Sequence, residues 1–167
     1  MELKQTFEGI EKSKEYLKWK EKNKGCYLSY VFIMQEKDKE GQWHFGFYNK
    51  STDKTTTFIL TSQIQVKEEE EIFKKPGAKV NQLDITKATL TFDEICKKAE
   101  EFCKKQYPHE LINKKIVIFQ NLDEFGDIWN ITLVTLAFNT INLKIDPENG
   151  EVKRHNITSL MSFVEKK

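Results

Sequence analysis

Cys96, Cys103 and His109 are the residue types that hold zinc or, beside a carboxylate, activate a thiol, and they fall in one short stretch of the chain. Zinc accepts thiolate sulfur at about 2.3 Å, so its ligands must converge on one point. The stretch around the two cysteines has helical periodicity, which sets residues seven positions apart about 10 Å from each other along the axis. Two sulfurs so placed share neither a zinc ion nor an unstrained disulfide. Both lie on the apolar stripe of that helix and are read as buried free thiols. With Cys26 they make an odd number without framework spacing, which fits a reducing compartment.

Nucleophilic catalysis needs a Ser or Cys beside a His base and an orienting acid, and no local signature such as Gly-x-Ser-x-Gly occurs. His44, His109 and His155 are scattered. Alternation along its strand turns His44 away from Trp43, Phe45 and Phe47. The glycines are isolated, without a phosphate-cradling Gly-x-Gly-x-x-Gly or Gly-x-x-x-x-Gly-Lys element. The stripe Trp43, Phe45, Phe47 could stack bases if it faced solvent, or lie beneath a helix as core. No residue is therefore expected to be catalytic or to hold a cofactor or metal, no cofactor is expected, and the ligand-binding residues stay open. Asn130-Ile131-Thr132 and Asn156-Ile157-Thr158 match the glycosylation pattern by chance.

The elements that would position these groups come in two similar sets. Thr6-Phe7-Glu8-Gly9-Ile10 returns as Thr91-Phe92-Asp93-Glu94-Ile95. At the same offset Val31-Phe32-Ile33-Met34-Gln35 falls on Ile116-Val117-Ile118-Phe119-Gln120, and Gly41 on Gly126. Each set opens with a helix. Thr91 and Glu94 have capping-box spacing, and Phe92, Ile95, Cys96, Ala99, Phe102 and Cys103 recur on one helical face up to Pro108. Leu3, Phe7, Ile10 and Leu17 mark the earlier helix, which Gly25 closes; Lys12, Lys14, Lys18, Lys20, Lys22 and Lys24 form its solvated face. Strands rich in β-branched and aromatic residues follow at 27–35, 43–49, 56–60 and 63–67, and again at 115–120, 128–138, 141–145 and 151–157. Glu68 to Glu71 is a solvated block, and the break is sharpest at Lys74-Lys75-Pro76-Gly77.

Composition agrees with a folded chain. Twenty-seven basic and 26 acidic residues leave +1 on 167 residues, too little for a strong polyanion-attracting field. An aromatic content of 12% is far above that of disordered chains. No run approaches the roughly 18 to 20 apolar residues of a membrane span, and the N-terminal stretch lacks the pattern of a secretory signal. The expected fold class is α+β: two tandem units, each one helix packed on a three- to four-stranded antiparallel sheet, with units at 1–75 and 89–167 and a linker at 76–88.

The helix from Phe92 to Cys103, the strand opening at Trp129, and Ile145-Asp146-Pro147-Glu148-Asn149-Gly150-Glu151-Val152 together resemble a PepSY-type module of cystatin-like architecture. In that last segment Asp146 can bond the backbone ahead of it and Gly150 accepts a positive φ. The first unit lacks this turn and joins the resemblance through the duplication. The resemblance implies a non-catalytic module, used in its relatives to bind or inhibit peptidases or for contacts near a cell surface.

The expected function is therefore non-enzymatic binding of a peptide or protein partner, a second copy of the chain included, through a sheet edge at 56–60 or 63–67 or through a sheet face. The alternative is a carrier of a small apolar ligand in a helix–sheet cavity lined by Phe92, Phe102, Phe119, Trp129 and Leu133. RNA binding and an enzyme built from distant segments rank below these. No nucleic-acid partner and no membrane span are expected, and the localisation expected is cytoplasmic.

Overall fold

The computed structural model describes residues 2–36, 39, 41–71, 74 and 77–163. Among these residues three α-helices, α1 (Leu3–Glu11), α2 (Lys14–Lys22) and α3 (Phe92–Gln106), accompany eight strands. These are β1 (Tyr27–Glu36), β2 (His44–Asn49), β3 (Lys54–Leu60), β4 (Ile64–Glu71), β5 (Ile112–Leu122), β6 (Gly126–Thr135), β7 (Asn139–Ile145) and β8 (Val152–Ser159). All eight form one antiparallel sheet in the order β4-β3-β2-β1-β5-β6-β7-β8. The class is α+β. Strands β1 to β4 and β5 to β8 each run as a meander, and the meanders meet where β1 pairs with β5 from Tyr30↔Gln120 to Glu36↔Lys114.

Register builds the core. Phe58, Phe45, Val31, Phe119, Trp129 and Ile145 are cross-strand partners in one row over six strands, and each has no exposed surface. Ile33, Val117, Ile131 and Leu143 form the next row. Helices cover this face. Phe7 packs on Phe45 and Phe47, Trp19 on Phe47 and Phe58, and Phe92 on Trp43 and Trp129, with ring centroids 5.0 to 6.3 Å apart. Burying each such side chain is worth about 1.5–3 kcal/mol.

The N-terminal helical segment differs from the single helix expected. Ser13 has extended backbone (φ −73°, ψ 150°), its Oγ accepts the Tyr16 N–H at 3.1 Å, and its hydroxyl donates to the Ile10 carbonyl at 2.6 Å. This N-cap ends α1 and starts α2 with a new phase. Tyr16 and Trp19 therefore face the sheet, and Leu17, expected on the apolar stripe, is 54% exposed. The capping box of Thr91 and Glu94 forms at α3, where Phe92, Ile95, Cys96, Ala99 and Cys103 are buried.

The edges also differ. Residues 56–60, expected to offer an edge, lie in β3 between β2 and β4 and have neighbours on both sides. The outer strands are β4 and β8. Beyond β4 the chain crosses the end of the sheet: Tyr27 Oη donates to the Val80 carbonyl at 2.7 Å, and the buried Leu83 donates its N–H to Leu28 at 2.8 Å. Phe73, Lys75 and Pro76, placed at the break between the sets, lie outside the described residues. In the β7–β8 connection Asp146 Oδ1 accepts the N–H groups of Glu148 and Asn149, and Gly150 has φ +74°.

Gly46 makes room for a ring. A Cβ there would sit 2.1 Å from the Tyr30 ring, which crosses the strand to hydrogen-bond Thr57 Oγ1 at 3.0 Å. Gly46→Ala is expected to cost about 1–3 kcal/mol, measured as a lowered urea midpoint at unchanged slope. In a Tyr30→Ala background the same substitution should cost much less, because the clashing atoms are gone.

Candidate functional site

The thiols and imidazoles singled out in the sequence do not converge. Cys96 and Cys103 are buried under α3, and burial pushes each thiol up to about 11. His109 is exposed beyond the end of that helix. Among the described residues no group of three or more His, Cys, Asp or Glu side chains could hold a metal ion. His155 binds at Nδ1 to Tyr107 Oη at 2.7 Å and meets the Phe102 ring at 4.9 Å, a contact that ties the end of α3 to β8. His44 packs on the edge of Phe32 at 5.2 Å, on the opposite face from Trp43, Phe45 and Phe47. Burial first, and the Lys67 ammonium second, hold its imidazole below its ordinary value, against the opposing pull of Glu70.

The aromatic stripe Trp43, Phe45 and Phe47 is core beneath the helices, so these rings have no face for a base. Side chains likewise fill the space expected of a ligand cavity: Phe119 and Trp129 stack at 4.6 Å, Phe92 lies on Trp129, and Leu133 is fully buried. Phe102 is half-buried against His155.

One open space lies on the helix-free face. Alternation puts Tyr30, Phe32 and Met34 of β1 there, with Gln120, Ile118 and Ile116 of β5 as their partners. A cleft of about 570 Å³ is walled by Tyr30, Phe32, Ile118 and Leu122 on the sheet and by Ala78 and Val80 of the crossing segment. Thr55 lines it too, and its buried hydroxyl has no hydrogen-bond partner among the described residues. Next to this apolar strip is a polar network in which Asn142 Nδ2 and Lys144 Nζ donate to Asn130 Oδ1 at 2.8 and 2.7 Å. Burial first, and Arg154 second, lower the Lys144 ammonium below its ordinary range.

The two edges of the sheet have different chemistry. On β4 the exposed run Glu68 to Glu71 carries a register shift against β3, and Glu69 takes φ +55°. Charge and bulging are the devices that stop a further strand from adding. On β8 the register against β7 is unbroken from Arg154 to Ser159, and residues 155–159 are His-Asn-Ile-Thr-Ser, free of carboxylates. Of the two edges expected from the sequence, 63–67 falls in the outermost β4 while 56–60 is interior, and the β8 edge was missed. The usable signal was in β1 and β5, whose runs Tyr-Val-Phe-Ile-Met and Ile-Val-Ile-Phe are apolar on both faces, as central strands are.

No protein-family model matches the chain, and no curated protein matches it. In fold it is similar to a crystal structure of a candidate lipoprotein from Clostridium difficile 630, with a TM-score of 0.55 at 13% identity over 86% of this chain and 90% of that one. The likeness is one of fold.

The thiol environment gives a measurable pH dependence. Burial pushes the Cys96 and Cys103 thiols from an ordinary 9.0 up to about 11 in the folded chain, so the folded state holds more protons between those limits. Their contribution to stability is full below pH 9 and is lost as pH rises toward 11. The pair Cys96→Ala and Cys103→Ala should flatten that slope, leaving the part due to Cys26 and to the tyrosines that burial also raises, Tyr16 and Tyr30 among them, against the opposite contribution of Lys144. At pH 8 both thiols should react with dithionitrobenzoate only as fast as the chain opens; prompt reaction of the folded protein would show that they are accessible.

Proposed function

We propose that the chain is a non-enzymatic interaction protein of two tandem, PepSY-like helix-on-meander units, which recognises an extended segment of a partner protein by adding it to β8. The observation that carries this reading is the asymmetry of the edges. β4 is bulged and lined with glutamates, whereas β8 presents a regular run without carboxylates from His155 to Ser159. Strand addition draws affinity from main-chain hydrogen bonds and specificity from alternate side chains. The protruding side chains on β8 alternate between the Ile157 and the Asn156 and Thr158 sides. The tandem reading is supported by the repeated sequence and by the equivalent places of β1 and β5 as first strands of the two meanders. The PepSY-like reading is supported by the Asp146–Gly150 hydrogen bonds.

A second reading has its own observation. The cleft on the helix-free face joins an apolar wall and one unpartnered buried hydroxyl to the charged side chains Glu70, Glu71, Lys74 and Lys79, a composition that suits a small ligand with an apolar body and a polar end. Three buried free thiols favour work in a reducing compartment, and we propose the cytoplasm.

The test starts from native mass spectrometry of the protein enriched gently from its own host, which separates a polypeptide adduct from a small reproducible one. With a polypeptide bound, backbone amides of 154–159 should exchange more slowly. Asn156→Lys with Thr158→Lys, which blunts the edge, should weaken the complex by about tenfold or more while leaving the thermal midpoint within about 2 °C. An unchanged complex would remove β8 from the interface.

A further inference from the structure

Seven large apolar side chains are exposed among the described residues, and five of them, Leu111, Leu136, Phe138, Ile157 and Met161, collect at one end of the molecule. Backbone bonds draw them together. Leu136 donates its N–H to Leu111 at 2.9 Å, and Leu160, next to Met161, donates to Phe138 at 2.8 Å. Ile157 stands on β8 opposite Ile141, one register step on its face from that turn. The patch is built from the α3–β5 connection, the β6–β7 loop and the turn that follows β8.

Phe138 makes the tip unusual in a second way. The β6–β7 connection is the three-residue loop 136–138, whose last position normally takes the left-handed conformation and a glycine. Phe138 occupies it at φ +58° with 63% of its surface exposed. A bulky residue there is an outlier, held only because its surroundings over-determine it. Here the Phe138 N–H bonds the Thr135 carbonyl, the Asn139 N–H bonds Thr135 Oγ1, and Asn139 Nδ2 bonds Glu110 Oε1 at 2.7 Å. The chain thus accepts both backbone strain and exposure to present a ring that folding does not use.

The charge around the tip selects among occupants. Glu110, the acid next to Leu111, is turned inward: one oxygen accepts from Asn139 and the other is buried. Lys104 and Lys105, in the last turn of α3, make no ion pair among the described residues, and Lys104 shares a groove wall with Leu111. The other acids nearby are answered or outnumbered: Glu36 pairs with Lys39 and Lys114, Glu100 pairs with Lys115, and Glu101 stands against both Lys104 and Lys105, so a second copy docked by two-fold symmetry would bring like charge against like. An anionic bilayer surface complements both features, since apolar side chains enter the acyl boundary while lysines stay among the headgroups. We propose that this tip inserts peripherally into the surface of an anionic membrane, through Leu136, Phe138, Leu111 and Met161, with Lys104 and Lys105 at the headgroups. This contact adjoins the β8 edge, with which it shares Ile157, but draws its insertion from residues outside that strand; it needs no spanning helix, and none of the described helices is long and apolar enough to be one.

The test is sedimentation of the full chain with vesicles of phosphatidylglycerol and phosphatidylcholine, and with phosphatidylcholine alone. The protein should bind the mixed vesicles, and bind phosphatidylcholine weakly. Phe138→Gly puts the residue that the turn favours at that position, so its thermal midpoint should hold or rise while vesicle affinity falls by about tenfold. Lys104→Gln with Lys105→Gln should abolish the preference for anionic lipid and leave the midpoint unchanged. The assignment is overturned if the unsubstituted chain stays in the supernatant with both vesicles, or if a stably folded Phe138→Gly protein binds as well as the parent. It is equally overturned if the chain is a dimer that Phe138→Gly dissociates, because the tip is then covered by a second copy.

Discussion

The pairing of β1 with β5 is the constraint on which the rest of the molecule depends. At its centre Val31 stands opposite Phe119, both without exposed surface, and the fully buried row extends outward from this pair to Phe58 on one side and Ile145 on the other. Separate meanders would each leave a long, flat, apolar first strand unpaired, the kind of edge that aggregates. Joined, they share a core: Phe92 at the start of α3 touches Trp43 of the first half and Trp129 of the second. Two short sheets, each marginal when covered by little helix, become one wide sheet under three helices.

The same joint determines what is left over. Because β1 and β5 satisfy each other, the open edges fall to the last strand of each meander, and these differ. Four consecutive glutamates and a positive φ at Glu69 close the side of β4 to a further strand. Lys153, Arg154 and His155 open β8, but Lys153 meets Glu151 and Asp146, and Arg154 forms a forked pair with Glu124, so their charges are largely answered within the chain. What β8 offers a partner is its backbone more than its charge.

Much of this was legible in the residues. The capping box at Thr91, the buried stripe of α3, the strand runs and the Asp146 turn are local signals, and local chemistry fixes each of them. The helix break was legible only in part: Ser13 is a strong N-cap, but one serine among lysines and glutamates does not interrupt a helical pattern on paper, so Leu17 stood on the apolar stripe that Tyr16 and Trp19 occupy. Which strands lie outermost is a non-local fact. It depends on β1 choosing β5, residues far away in the chain, and the sign of it was the lack of alternation in both runs. The candidate site was the least legible part, because a cleft between the helix-free face and a crossing segment requires knowing where that segment goes. The exposed tip was hidden for a similar reason: Leu111, Phe138 and Met161 are each unremarkable alone and meet only through turns.

Net charge illustrates the limit of composition. A sum of +1 excludes a strong long-range field, and that inference holds at distances beyond a screening length of about 8–10 Å. Within that length the sum is the wrong quantity. Glutamates are concentrated along the end of β4, while at the far end of α3 Glu110 points inward and Lys104 and Lys105 point out. A surface that touches only one of these regions meets a local charge of definite sign, and the opposite region is too far away to cancel it. The near balance of the whole chain therefore limits how fast a charged partner is drawn in, and leaves open how well it is held once the right face is in contact.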